Sequence, residues 1–369
     1  MIEQPDREEA MPERSMALTG VRAILVQGAR QFVFSALAAG CLASSASAQT
    51  AESFWKGKSI NFYVGYGAGS GYDLYARLLA RHYGRAIPGQ PQVIVQNMPG
   101  AGSIKAANYL FEIAPRDGTA IGMTGRGTPM TPLLGGKGAS FKDHASFSWI
   151  GSMNNEVSVC VTWHTSGIAN IQQAMEREVT TAATALGADD TTVFPAVLNA
   201  IIGTKFKWIT GYPGGAGMNI AMERGETQGR CGWSWSSIKS TQADWLRDKK
   251  INLLLQLSLS KHPDLPELPL IMDLAKTAEQ RSVLELIFAR QVMGRPVLAP
   301  PNLPADRLTA LRRAFDITMK DGAFLAEAAK GKWEITPVTG EEIEALMKRV
   351  YATAPHIVEM TKKVTPQPR

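Results

Sequence analysis

Cysteine is scarce in this chain, with three in 369 residues, and histidine is nearly so, with five. The histidines, His82, His144, His164, His262 and His356, show neither H-x-H nor H-E-x-x-H spacing, so a zinc centre is not expected. No serine lies in a G-x-S-x-G elbow, which removes the usual turn of a serine hydrolase. The triplet Gly57-Lys58-Ser59 imitates the tail of a P-loop, but Glu52 stands where the first glycine should be and a strand follows instead of preceding it. Basic runs never exceed doublets such as Lys249-Lys250, Arg312-Arg313 and Lys362-Lys363. A net charge of +6 spread in this way gives no arm or patch for nucleic acid. At 45% hydrophobic and 20% charged the chain is neither disordered nor a multi-span membrane protein.

What is present begins with a leader. Residues 1–15 are polar and acidic, then Arg22 and Arg30 precede an apolar stretch from Phe32 to about Leu42 and the small-residue site Ala46-Ser47-Ala48. That is the layout of a secretory signal peptide, read here as residues 1–48 with an upstream extension. The apolar run is short for a spanning helix of about 20 residues, which makes an anchor the weaker reading. A lipoprotein signal is a second rival, because Ala38-Ala39-Gly40-Cys41 resembles a lipobox. The leader holds four arginines against five carboxylates, so its removal leaves the rest more basic by one charge. It also leaves two cysteines, Cys160 and Cys231, which can pair as a disulfide in an oxidising compartment or remain buried thiols.

From Phe54 onward short apolar strands, Gly-rich turns and amphipathic helices alternate, which is the α/β pattern. Strands are expected at 59–64, 93–97, 119–123, 157–163, 180–186, 206–209, 229–233 and 251–256. Helices are expected at 72–83, 104–112, 168–178, 191–202, 216–224 and 236–247. Ser70 and Asp73 carry capping-box spacing, and Ser103 reads as an N-cap. The proline-dense segment Lys261–Pro269 marks a boundary, and the chain after Pro304 reads as helical. Helices without strands of their own need a sheet to cover. The C-terminal part is therefore returned to the first domain, giving domain I as 49–152 plus 257–369 and domain II as 153–256. Such a chain crosses twice between domains and leaves a cleft lined by strand-to-helix loops.

Three of those loops are rich in glycine. The first, Gly65 to Asp73, includes Tyr66, Gly67, Ala68, Gly69, Ser70, Gly71 and Tyr72, and offers backbone N–H groups at a helix N-terminus, a seat for carboxylate or phosphate. G-x-G-x-x-G fails in both registers, with Ser70 or Tyr72 at the third glycine, so a dinucleotide site is not indicated. The second loop, Leu186 to Thr192, contains Gly187, Asp189 and Thr191; Asp189-Asp190 reads first as a helix cap, with ligand contact alongside. The third, Thr210 to Gly217, holds Tyr212, Gly214 and Gly215. Arg126, in Thr124-Gly125-Arg126-Gly127, is the loop arginine to examine, its rival reading being a solvated charge. Trp233 and the loop tyrosines are candidate cleft walls or core. A cleft without nucleophile, metal cluster or acid–base pair points to binding, not catalysis.

At these residues the chain resembles the Bug family, the periplasmic solute receptors of tripartite tricarboxylate transporters. The likeness rests on GSGYD, on Ala76–Leu110 with its QNMPGAGS block, on APRDG, on GYPGG and on GRCGW. The resemblance implies a type II periplasmic-binding-protein-like fold, two α/β domains with a hinge and an interdomain cleft. It further implies a monomeric, non-enzymatic receptor, without cofactor or metal, that closes on a small organic anion and hands it to membrane permease subunits. The family's first loop carries G-G-x-x-D, matched by Gly69, Ser70 and Asp73, with serine replacing the second glycine. Tyr66 stands where many relatives have phenylalanine. A sensory receptor for a membrane partner and a periplasmic enzyme acting on a carboxylate are the competing readings.

Overall fold

A computed structural model describes residues 54–366, apart from 144 and 188. The expected signal peptide and Cys41 lie outside the described residues. No helix among the described residues is long and apolar enough to cross a membrane.

The first half of the chain runs β1 Ser59–Val64, α1 Gly71–Ala86, β2 Gln92–Asn97, α2 Ile104–Glu112, β3 Ala120–Met123 and β4 Ser148–Ser152. The middle runs β5 Ser158–Trp163, α3 Ile171–Glu176, β6 Val179–Ala182, α4 Asp190–Ile202, β7 Phe206–Ile209, α5 Gly215–Glu223 and β8 Gly229–Ser234. It closes with α6 Trp235–Thr241, α7 Ala243–Arg247 and β9 Ile251–Leu257. The last part holds α8 Ala278–Phe288, β10 Pro296–Ala299, α9 Ala305–Lys320, α10 Gly322–Lys330, β11 Val338–Thr339, α11 Gly340–Tyr351 and α12 Pro355–Val364.

Two sheets result. The first has the order β11-β4-β10-β3-β1-β2, with β1 parallel to β2 and β3 and with β10 antiparallel to β3 and β4. The second has the order β7-β6-β8-β5-β9, with β6 parallel to β7 and β8 and with β5 antiparallel to β8 and β9. The chain passes between the sheets after β4 and again after β9. Strands β3, β8 and β10 are buried along their whole length, as expected of strands covered on both faces.

The helices form for local reasons. Ser70 Oγ accepts the Asp73 N–H at 3.3 Å and caps α1, whose buried stripe includes Tyr75, Leu78, Leu79 and Tyr83. The reciprocal half of the box is absent: the Asp73 carboxylate accepts instead from Gly69 N at 2.8 Å and pairs with Arg77 at 3.0 Å. Ser103 does not cap α2 through its side chain. It sits at φ 81°, and its Oγ accepts the Gly125 N–H at 3.0 Å, tying the loop before α2 to the loop after β3. The strand expected over 180–186 stops at Ala182, because Ala183 and Thr184 turn to meet Gly211 and Tyr212. The helix expected over 236–247 breaks at Gln242 into α6 and α7. The C-terminal part contributes two strands as well as helices, β10 being only four residues and β11 two.

Packing joins what the topology separates. One continuous apolar cluster takes Tyr63, Leu110 and Trp149 from the first sheet and its helices, and Val193, Phe194 and Leu255 from the second. Leu284, Phe288 and Val358 from the C-terminal helices complete it. Cys160 of β5 and Cys231 of β8 form a disulfide, with Cα atoms 3.9 Å apart and both residues fully buried.

Replacing both cysteines by serine removes a cross-link spanning 71 residues of sequence. The expected cost is about 2–4 kcal/mol, read as a lower midpoint in urea unfolding, and an unchanged midpoint would remove the bridge from the stability account.

Candidate functional site

Between the two lobes lies a cavity of about 340 Å³, lined from the first lobe by the β1–α1 loop, Arg126 and Arg295, and from the second by the ends of α4, α5, β8 and α6. Of the residues singled out from the sequence, Tyr66, Gly69, Ser70, Gly71, Tyr72, Arg126, Asp189, Thr191, Gly214, Gly215 and Trp233 line it. The others sit nearby. Gly67 donates its N–H to Pro213 O at 3.3 Å, so the first and third loops touch directly across the cleft. Ala68 is exposed. Asp73 is buried beneath the first loop and serves α1, while Tyr212 lines a neighbouring cavity and Gly187 a small one against Gly127 and Val193.

The wall at Tyr66 is aromatic. Tyr66 stacks on Tyr72 with ring centroids 4.6 Å apart, and its hydroxyl donates to Asp189 Oδ2 at 2.9 Å. Burial first, then the nearby carboxylate of Asp189, holds the Tyr66 phenol well above its ordinary pKa, so it remains a donor at neutral pH. Asp189 caps α4, accepting the Thr191 N–H at 2.9 Å and the Thr191 hydroxyl through Oδ1.

Charge dominates the interior. Arg126 is 2% exposed, which rules out the solvated-loop reading; its Nε donates to Asp190 Oδ2 at 2.6 Å and its Nη2 to Ser158 Oγ at 2.9 Å. Burial lowers the Arg126 pKa, but Tyr72, Asp190 and Glu156 outweigh it and leave the group above its usual value. Asp190 takes a second guanidinium, Arg290, at 3.2 Å. Arg295 pairs with the buried Glu156 at 3.3 Å, donates to Ser237 Oγ at 2.9 Å, and lies 4.7 Å from the Tyr72 ring centre.

Arg230 is built differently. It is 8% exposed and has only neutral partners: Asn219 Oδ1 at 3.0 Å, Gly215 O at 3.4 Å and the Trp233 ring, whose centre is 4.4 Å away. Desolvation, only partly offset by the nearby charge of Asp189, pushes its guanidinium down to about 9, still protonated at neutral pH. Three polar atoms of the cavity-lining arginines, Arg126 Nη1, Arg230 Nε and Arg295 Nε, have no hydrogen-bond partner, and neither has Thr184 Oγ1. The cavity lining carries three guanidinium groups, of Arg126, Arg230 and Arg295, and three carboxylates, of Asp189, Asp190 and Glu223.

Glu156, Arg230 and Arg295 went unrecognised as site residues in the sequence, where Asp190 reads with Asp189 as a helix cap with ligand contact alongside. Arg230 and Arg295 stand in or beside short strands, where a charge in an otherwise apolar run is the one available signal. As for metals, His262, Asp264 and Glu334 bring ligand atoms within 4.8 Å of one another. Lys239 already fills the role of the cation there, at 2.6 Å from Asp264 and in contact with Glu334.

Two substitutions test this interior. Asp190→Asn strips both Arg126 and Arg290 of their counter-ion, and the expected loss is about 3–5 kcal/mol in chemical unfolding. Gly232 has φ +76° and a Cβ there would lie 2.6 Å from Asp190 O, so Gly232→Ala is expected to be destabilising by about 1–3 kcal/mol; unchanged stability of either variant would contradict the packing described.

No family model matches the chain, and no curated protein matches it. Solved structures do. The periplasmic binding protein BugD is 19% identical, with 84% of this chain and 99% of that one aligned and a TM-score of 0.67. An R. palustris protein solved with adipate is 16% identical over 85% and 100% of the two chains, with a TM-score of 0.67. MatC from Rhodopseudomonas palustris, with bound malate, is 13% identical over 82% and 99%, with a TM-score of 0.63. The chain therefore has the two-lobed α/β fold of these periplasmic binding proteins, the fold that the resemblance in its loops implied.

Proposed function

We propose that this protein is an extracytoplasmic solute receptor that captures a small organic carboxylate between its lobes and delivers it to the permease subunits of a tripartite tricarboxylate-type transporter. One observation carries the reading: three buried arginines, Arg126 and Arg295 from the first lobe and Arg230 from the second, line a single cavity. Guanidinium donors in a desolvated pocket favour a carboxylate through charge-assisted hydrogen bonds. Relatives in fold solved with adipate and malate are in keeping with that ligand class. The reading departs from the loop residues alone, because the anion is assigned to side chains as much as to the backbone of Gly69–Gly71 and Gly214–Gly215. Closure about the two crossing segments brings the first and third loops together, and the Gly67–Pro213 hydrogen bond is the contact that closure makes.

Mono-, di- and tricarboxylates, tested as a panel against the purified protein, are expected to raise its melting temperature; a neutral sugar or a simple amine is not. A response to the sugar or amine with none to any acid overturns the reading. Gly214 faces Gly67 N and Ser70 Cβ, each 3.5 Å from where its own Cβ would stand. Gly214→Leu therefore wedges the lobes apart, and affinity is expected to fall by about tenfold or more with little change in the melting temperature of the free protein.

A further inference from the structure

Strand β8 breaks the alternation of a regular strand. Arg230 and Trp233 are three positions apart in sequence, a spacing that in a regular strand sends side chains to opposite faces of the sheet. Instead they share one face: the Arg230 guanidinium lies 4.4 Å from the centre of the Trp233 ring, and both residues line the cavity. Their partners on β5 agree, since Arg230 stands opposite Val161 and Trp233 opposite Val159, two residues of the same face. Between those pairs Cys231 and Gly232 of β8 oppose Cys160 alone, which is a β-bulge. Gly232 takes φ +76°, and its missing side chain leaves room for Asp190 O, which would lie 2.6 Å from a Cβ there. The extra residue therefore sets two parts of the cavity wall, the Arg230–Trp233 pair and the first turn of α4.

The ladder is interrupted at the same level on the other side of β5. Cys160 pairs with Leu255 and Val161 with Leu253, so a residue of β9 is passed over as well. Regular pairing thus fails on both sides of Cys160 at once, and the covalent bond to Cys231 stands at that point. Both cysteines belong to the apolar cluster shared between the lobes, whereas Val159, Val161 and Trp233 belong to another. The cross-link ties the bulge down from the face opposite Arg230 and Trp233. Closing the bulge by one residue would turn either Arg230 or Trp233 over to the other face, and a bond between residues 160 and 231 forbids that slip.

We propose that Cys160 and Cys231 are positioning residues for the cavity: their disulfide pins the bulge in β8, and with it Arg230 and Trp233, so that oxidation completes the wall. Forming the bond converts two thiols into one S–S link, with two protons and two electrons passing to a disulfide donor that leaves as a dithiol. A wall assembled in this way is fixed in an oxidising compartment and loose where thiols stay reduced. The bulge sets this wall whichever ligand the cavity takes.

Phenylglyoxal, which labels accessible guanidinium groups, reads the wall without a ligand, and peptide mass mapping gives the rate at each arginine. In the oxidised protein Arg230, 8% exposed, is expected to label slowly. In Cys160→Ala/Cys231→Ala, and in the unaltered protein refolded and held in dithiothreitol, Arg230 is expected to label about tenfold faster or more, while Arg295 keeps its slow rate. Met347→Ala, which opens a cavity under α11 in the first lobe, gives the effect of lost stability alone, and Arg230 is expected to stay slow there. An unchanged rate at Arg230 without the disulfide overturns the proposal, as does equal quickening of Arg230 and Arg295, or the same quickening in Met347→Ala. Failure of both disulfide-free forms to fold assigns the bond to folding instead of position and overturns it too. So does alkylation of both Cys160 and Cys231 in denatured protein that has met no reductant.

Discussion

Asp190 is the charge on which the two lobes agree. It opens α4 in the second lobe, and it is gripped by Arg126, from the loop after β3 in the first lobe, and by Arg290, from the segment that returns to β10. Its carboxylate offsets part of the cost of burying both guanidinium groups. Glu156 does the same for Arg295 at the first crossing, where its carboxylate also takes the Ser236 hydroxyl and the Val157 N–H. A pair of acids at the joins between lobes thus sets the positions of the arginines that face the cavity. Geometry of this kind is costly to desolvate and contributes little net stability, but removing one member leaves charges uncompensated. The arrangement therefore specifies position more than it stabilises.

Local structure was largely legible. The spans of α2 and β7 match the sequence pattern residue for residue, since Ile104–Glu112 is bounded by clear turn residues and Phe206–Ile209 is a short alternating run. Glycine-rich loops announced the cleft, and each of the three contributes residues to its lining. The expectation for Ser103 failed because a serine before a helix reads as a cap whatever its oxygen bonds to; only the tertiary contact with Gly125 decides. Strand β10 was invisible for a different reason. Pro-Val-Leu-Ala is four residues opening on proline, and its place in the centre of a sheet is conferred by β3 and β4 on either side.

The charged interior was the least legible part. Composition counts arginines but does not say which are buried, and the partners of Arg126, Arg290 and Arg295 lie 64, 100 and 139 positions away. Pairing at such separations is a property of topology, not of any local window. Arg230 lacks even a paired acid and borrows a tryptophan face and an asparagine instead. A residue satisfied by neutral groups leaves no pattern of complementary charge along the chain.

The apolar cluster shared by both sheets and the C-terminal helices sets how this molecule can be taken apart. Each lobe has an apolar cluster of its own as well, one around Phe62, Tyr83 and Phe315 and one around Trp233 and Trp245, but cutting at the crossings would bare Trp149 and Leu110 on one side and Phe194 and Leu255 on the other. Thermal unfolding of the whole should accordingly proceed as a single cooperative event, with calorimetric and van't Hoff enthalpies in agreement.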